Sequence, residues 1–326
     1  MPRTPFLAAL AALAVVATAC TSNDGDTSSA TPGVASGSAA VDPTTFAVEV
    51  ASTDLWAGDP QDVQLGVFRI TDAEGINLLT SGSIDVGFSP FGQDPEASDR
   101  VPARYIPAPG TEGTDAGTPA LSTPDVARGV YQADDVTFED GVWTADVAFE
   151  VDGTPVALQT QFEVKGAPSL PAPGQAALKT DSLTMDSDAP PGAIDSRAAE
   201  GAEVPDPELH EVSIAQAIRD GRPALVLFAT PVYCQSQFCG PDVEWLEGIA
   251  ATRPDDAAYI HVEIWEDYQA QTANAAASEW LDRDGAFTEP WLFLIDADGT
   301  ITQRWGPLFD TAEVEAALDE VTAAPA

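Results

Sequence analysis

ALVLFATPVYCQSQFCGP, residues 224–241, decides the reading of this chain. Ala224 to Ala229 is an unbroken apolar run, the pattern of a strand buried on both faces of a central sheet. The run leads through Thr230 into Cys234, and Cys239 follows with Gly240 and Pro241 behind it. Gly240 and Pro241 suit the N-cap and first position of a helix. Working outward, Val212 to Asp220 predicts a short helix stopped by Gly221. Tyr259 to Trp265 predicts a strand, and about Thr272 to Leu281 a helix. Trp291 to Asp296 and Thr300 to Trp305 predict a hairpin across Asp298-Gly299. A last helix starts near Asp310, with Glu313 placed for a capping box. Strand, helix, strand, helix, hairpin, helix is an α/β order.

That order resembles the thioredoxin fold over about residues 207–326. The apolar strand runs through Phe228 and Thr230 into Cys234, as a thioredoxin strand runs into its nucleophilic cysteine. Thr288-Glu289-Pro290 precedes the strand beginning at Trp291, the place of that family's cis-proline. The turn from Asp296 to Ile301 resembles the hairpin of membrane-anchored thioredoxin-like reductases. The resemblance implies thiol–disulfide exchange, with Cys234 as attacker, Cys239 as resolving thiol and Pro290 offering backbone to an extended substrate. A thiolate just ahead of a helix is favoured by the free N–H groups and the dipole. Four residues separate these cysteines where the family has two. A second registration stays open: Cys239-Gly240-Pro241-Asp242 is similar to the family's Cys-Gly-Pro-Cys with Asp in the last place, and would make Cys239 the attacker. Glu289 stands before the proline, where a carboxylate opposes thiolate formation. Glu289, His261 and Trp291 are the expected modulators.

Two other readings accompany exchange. Neighbouring cysteines in an exported protein commonly form a structural disulfide, which would leave a non-enzymatic binding lipoprotein. Copper handling is the third, because copper chaperones of the Sco type share this fold and use two cysteines with a distant histidine. His261 shares a strand face with Tyr259, Glu263 and Trp265 and could approach the cysteines, but a histidine packed and hydrogen-bonded beside the sheet is the commoner case. His210 is expected to face solvent. Soft copper sites also favour methionine, and only Met1 and Met185 are present. No cofactor and no resident metal is assigned from the sequence. Trp245, Trp280 and Trp305 are expected in the core. Asp296 and Asp298 read as a hairpin turn rather than a cation loop.

Residues 44–165 carry β signals. Val63, Leu65 and Val67 alternate with their neighbours. Trp143, Ala145, Val147, Phe149 and Val151 alternate in the same way, Asp152-Gly153 supplies a tight turn, and Val156 to Val164 returns. Strands with one apolar face need a second sheet over them, so a β-sandwich is expected. The stretches around Gly129-Val-Tyr and Gly141-Val-Trp resemble immunoglobulin-like modules of bacterial exported proteins. Residues 92–124, rich in Pro, Gly and Thr, are expected as a long loop, and 166–206 as a Pro/Ala-rich linker to the thioredoxin-like domain at 207–326.

The first twenty residues read as a targeting segment. Arg3 precedes the uncharged run Phe6 to Ala17, too short for a stable span. Ala17-Thr18-Ala19-Cys20 resembles the lipobox of bacterial lipoproteins, although Leu is usual where Ala17 stands. The resemblance implies acylation of Cys20 and a protein anchored at the outer face of the bacterial cell membrane. Ordinary cleavage after Ala19, releasing the protein, is the alternative. Residues 21–43 lack aromatics and read as a disordered tether, spanning about 25–30 Å as a coil. Thirteen Lys and Arg against 53 Asp and Glu give a net charge of −40. Such a surface repels nucleic acid and offers no polybasic patch to anionic lipid. The partners expected are exported thiol or disulfide proteins and, through the lipid anchor, the membrane; oligomeric state is left open.

Overall fold

The computed structural model describes residues 42–93, 99–111, 113, 115–283 and 287–323. Cys20 and most of the 21–43 tether lie outside the described residues. Strands dominate. β1 (Phe46–Val50), β2 (Gln61–Thr71), β3 (Gly75–Thr80), β4 (Ser83–Pro90), β5 (Arg100–Pro107), β6 (Ala120–Ser122), β7 (Gly129–Val136), β8 (Gly141–Val151) and β9 (Thr154–Val164) join in one nine-stranded antiparallel sheet. The order is β6-β3-β2-β7-β5-β4-β8-β9, with β1 also on β2. The expected hairpin is in register, Trp143 opposite Phe162 and Val151 opposite Thr154. Asp152 and Gly153 both take positive φ between them, as a primed turn requires.

Two separate sheets were expected, and hydrogen bonding instead links all nine strands. The sheet curls over its own apolar face, which brings Phe46 of β1 to 5.4 Å from Phe149 of β8. Val63, Leu65, Val86, Tyr105, Tyr131 and Val147 fill the enclosed core. The expected loop 92–124 contributes β5 and β6. Its prolines hid them. Pro102 pairs only with β4, because β7 joins β5 from Arg104 onward, so its missing N–H faces no partner.

A second sheet follows. Its elements are α1 (Pro191–Ile194), α2 (Ile214–Arg219), β10 (Ala224–Ala229), α3 (Cys239–Thr252), β11 (Ala258–Glu263), β12 (Trp265–Asp267), β13 (Thr272–Ala273), α4 (Ala275–Leu281), β14 (Trp291–Ile295), β15 (Ile301–Trp305) and α5 (Thr311–Ala323). Strand order is β11-β10-β14-β15, with β10 parallel to β11 and antiparallel to β14. Val226 and Phe228 pack into a core with Ile214, Trp280 and Phe293. Leu225 and Leu227 pack into another with Val243, Leu246, Val314 and Leu318. Apolar side chains are therefore needed at every position of β10, which explains the unbroken run. Trp280 and Trp305 are buried as expected, and Trp245 packs 4.9 Å from Phe309.

Residues 166–206 do not behave as a free linker. Gly174 and Ala177 donate to the carbonyls of Ile301 and Gly299, and Ile301 donates to Gln175, so this segment covers the free edge of β15. Leu170, Ala177, Ala193, Ile194 and Ala198 are buried. Low apolar content disguised a segment ordered largely by backbone bonds. The capping box at α5 is also absent: Asp310 caps Ala312, and Glu313 accepts from Trp305 Nε1 at 3.1 Å.

Candidate functional site

α3 begins at Cys239 itself, two residues before the expected start, with Phe238 as N-cap and no side-chain cap. Cys234 and Cys239 are bonded to each other, their Cα atoms 6.0 Å apart. Cys239 is buried and Cys234 half-buried. The Cys239 N–H donates to Cys234 Sγ at 3.4 Å, and Ser236 Oγ lies 3.3 Å from the same sulfur. The first turn of α3 is thus aimed at Cys234, which favours negative charge there once the bond is reduced. The second registration gains less, because Cys239 has no exposed surface from which to attack.

The large sheet holds the loop between the cysteines. Phe238 packs on Ile106, Ala108, Val130 and Leu308, and Arg128 Nη1 donates to the Gln237 carbonyl at 3.0 Å. Beside the loop runs a cleft of about 850 Å³. One wall is Phe68, Ile76 and Leu78 of the large sheet; the other includes Ser236, Tyr268 and Pro290. Tyr233, next to Cys234, stacks on Tyr268 with centroids 3.9 Å apart.

Pro290 follows a cis peptide bond from Glu289. Burial, and then the Glu263 carboxylate, push the Glu289 carboxyl above its usual range. Trp291 is largely buried, its Nε1 donating to Thr288 Oγ1 at 3.0 Å, and its edge lines the cleft. Asp242 shares a helix face with Cys239, one turn on. It is wholly buried, neither oxygen has a hydrogen-bond partner among the described residues, and burial raises its carboxyl well above the normal value.

The His210 expectation is corrected: it is not solvent-facing but fully buried. His261 is packed beside the sheet, its Nε2 3.1 Å from the Ala229 carbonyl, and meets His210 and Asp195. Burial pushes the His210 imidazole down despite the neighbouring Asp195. Burial acts to raise Asp195, but His210, His261 and Arg197 outweigh it and hold the carboxyl well below its ordinary range. Asp195 had no signal in the sequence, since it lies in the supposed linker. Asp242 had a partial one, as the residue in the last place of Cys-Gly-Pro-Asp. No helix among the described residues is long and apolar enough to cross a membrane. No protein-family model and no curated protein matches this sequence.

Proposed function

We propose that this is an exported, lipid-anchored thiol–disulfide oxidoreductase of the cell envelope, with a thioredoxin-like module over 207–326. The observation that carries the reading is the half-buried Cys234 sulfur, paired with buried Cys239 and receiving an N–H from the first turn of α3. The order β11-β10-β14-β15, with helices on both faces, and Pro290 on the wall of the cleft beside the disulfide loop support it. In the reducing direction, the Cys234 thiolate attacks one sulfur of a substrate disulfide. The mixed disulfide forms and the other substrate sulfur leaves as a thiolate, which takes up a proton. Cys239, deprotonated, then attacks Cys234, and the second substrate thiolate leaves. The protein ends as the disulfide, and the reverse sequence oxidises a dithiol.

Cys239→Ser is expected to accumulate a mixed disulfide through Cys234, and the pair to equilibrate with thiol buffers between about −120 and −270 mV. Absence of an adduct from either single cysteine variant counts against exchange. A second reading is favoured by the burial of Cys239 and the anchoring of Phe238 and Gln237: the bond is a staple. It predicts a potential below about −300 mV and a loss of about 2–5 kcal/mol on removal. The anchor itself is tested by Cys20→Ala, which should move the protein from the membrane fraction to the medium.

A further inference from the structure

Both histidines of the chain converge on Asp195 in a place that the exchange chemistry does not use. His210 ends the short helical turn Pro207–His210, His261 lies in β11, and Asp195 follows α1. All three side chains have no exposed surface. Their donor atoms lie within 4.8 Å of one another. Asp195 Oδ2 stands 3.3 Å from His261 Nδ1 and 3.8 Å from His210 Nε2. The two rings are 5.2 Å apart.

The tautomer of His261 makes this cluster informative. Its Nε2 is 3.1 Å from the Ala229 carbonyl, which only accepts, so Nε2 carries a proton. A neutral ring then points the Nδ1 lone pair at a carboxylate oxygen, acceptor against acceptor. A positive centre between them removes the conflict, and either a second ring proton or a metal ion supplies it. A proton on His261 leaves both nitrogens of His210 without a partner among the described residues. A metal ion held by His261 Nδ1 and His210 Nε2 gives each ring a partner, leaving only His210 Nδ1 without one among the described residues. The outer contacts also fit a metal: a backbone carbonyl fixes His261, and Arg197 donates to Asp195 Oδ1 through its backbone N and to Oδ2 through Nη2, at 2.8 and 2.7 Å.

We propose that Asp195, His210 and His261 bind one zinc ion, which fastens residues 195–210 to β11. Two imidazoles and a carboxylate suit a borderline cation, whereas calcium and magnesium favour all-oxygen sets. Bonds of about 2.0–2.2 Å at a tetrahedral angle put donors about 3.3–3.6 Å apart, close to the two distances observed. The site holds no sulfur and stands whether or not the disulfide is catalytic.

The test uses the full-length, tag-free chain with its disulfide intact, freed of metal by a chelator and titrated with zinc chloride alone. One equivalent is expected to bind. At free zinc one hundred times the dissociation constant, the folded-to-unfolded ratio should rise about 100-fold. Zinc-edge absorption should give nitrogen and oxygen neighbours near 2.0–2.1 Å, and His210→Gln or His261→Gln should abolish uptake. Should those variants not fold, nitrogen NMR of the two histidines in the unaltered protein decides alone, with Nδ1 of His261 shifting on zinc addition. Three results overturn the proposal: no stoichiometric uptake, sulfur in the zinc shell, or a His261 protonated on both nitrogens whose signals zinc does not move.

Discussion

The margin of the large sheet and the disulfide helix of the second region bury an acidic group in opposite ways. In the large sheet, Asp146 is held by Arg100, and Asp54, at its margin, pairs with Arg304 at 2.9 Å with both side chains almost fully covered. Burial acts to raise Asp54, but the Arg304 charge and the N–H groups of Leu170 and Ser169 outweigh it and leave the carboxyl lowered. In the second sheet region, Asp195 is likewise paired, with Arg197 at 2.7 Å, but neither oxygen of Asp242 has a hydrogen-bond partner among the described residues. A partnered buried charge holds segments together, and Arg304 does so by reaching Asp54, the Pro171 carbonyl and the rings of Trp56 and Trp291. An unpartnered one is costly to keep, and Asp242 is such a group, in the first turn of the disulfide helix. The difference separates what builds the molecule from what is available to chemistry.

Breaking the paired side should give the largest effect. Arg304→Ala leaves Asp54 buried without its cation and is expected to cost about 3–5 kcal/mol in urea unfolding. Adding Asp54→Asn, which removes the stranded charge but keeps an acceptor for the Ser169 and Leu170 N–H groups, should recover most of that loss; no recovery would show that the stacking on Trp56 and Trp291 dominates instead.

The unpaired side is probed next with Asp242→Asn. A carboxyl raised in the folded state keeps its proton after the unfolded chain has released it. Stability is therefore fully present below the unfolded value near 3.8 and falls as pH rises toward the folded value. Melting temperatures across the pH range should decline with alkalinity in the natural protein and flatten in the variant. An unchanged slope would mean that Asp242 is not the group responsible.

Phe238→Ala sharpens the contact between the regions. The side chain is half-buried, so the expected loss is about 1–2 kcal/mol, below that of a core Phe. The informative readout is the disulfide, which should be reduced faster by dithiothreitol once its loop loses the large sheet. Equal rates would separate the two regions functionally.

The smallest effect is expected at Asp62 in β2. Burial first, with Glu313, Asp134 and Asp135 pushing the same way against the Asp135 N–H, raises its carboxyl to about 6. By the same sign, stability declines between about pH 4 and 6. Asp62→Asn should gain about 1 kcal/mol at neutral pH, after allowing for solvent screening, and nothing at about pH 3.5. A gain at both values would point to packing rather than charge.

Periodicity made the β8–β9 hairpin, the doubly buried β10 and the β14–β15 turn legible, because each rests on neighbours within a few residues. The Cys234–Cys239 pair was legible for the same reason. β5 was not, since Pro102 is tolerated only because one side of that strand has no partner there. Nor was the ordering of 166–206, which depends on carbonyls and N–H groups of β15 more than a hundred residues away.

By itself the sequence determined where backbone alternation, turn chemistry and helix starts lie, since these are local properties of adjacent side chains. Only the tertiary structure decided that the strands of residues 44–165 join one curled sheet, that Phe238 anchors the disulfide loop to it, and that His210 and His261 meet Asp195. Those outcomes depend on which distant groups satisfy one another's buried surface and hydrogen bonds, a matter of three-dimensional closure that no local pattern encodes.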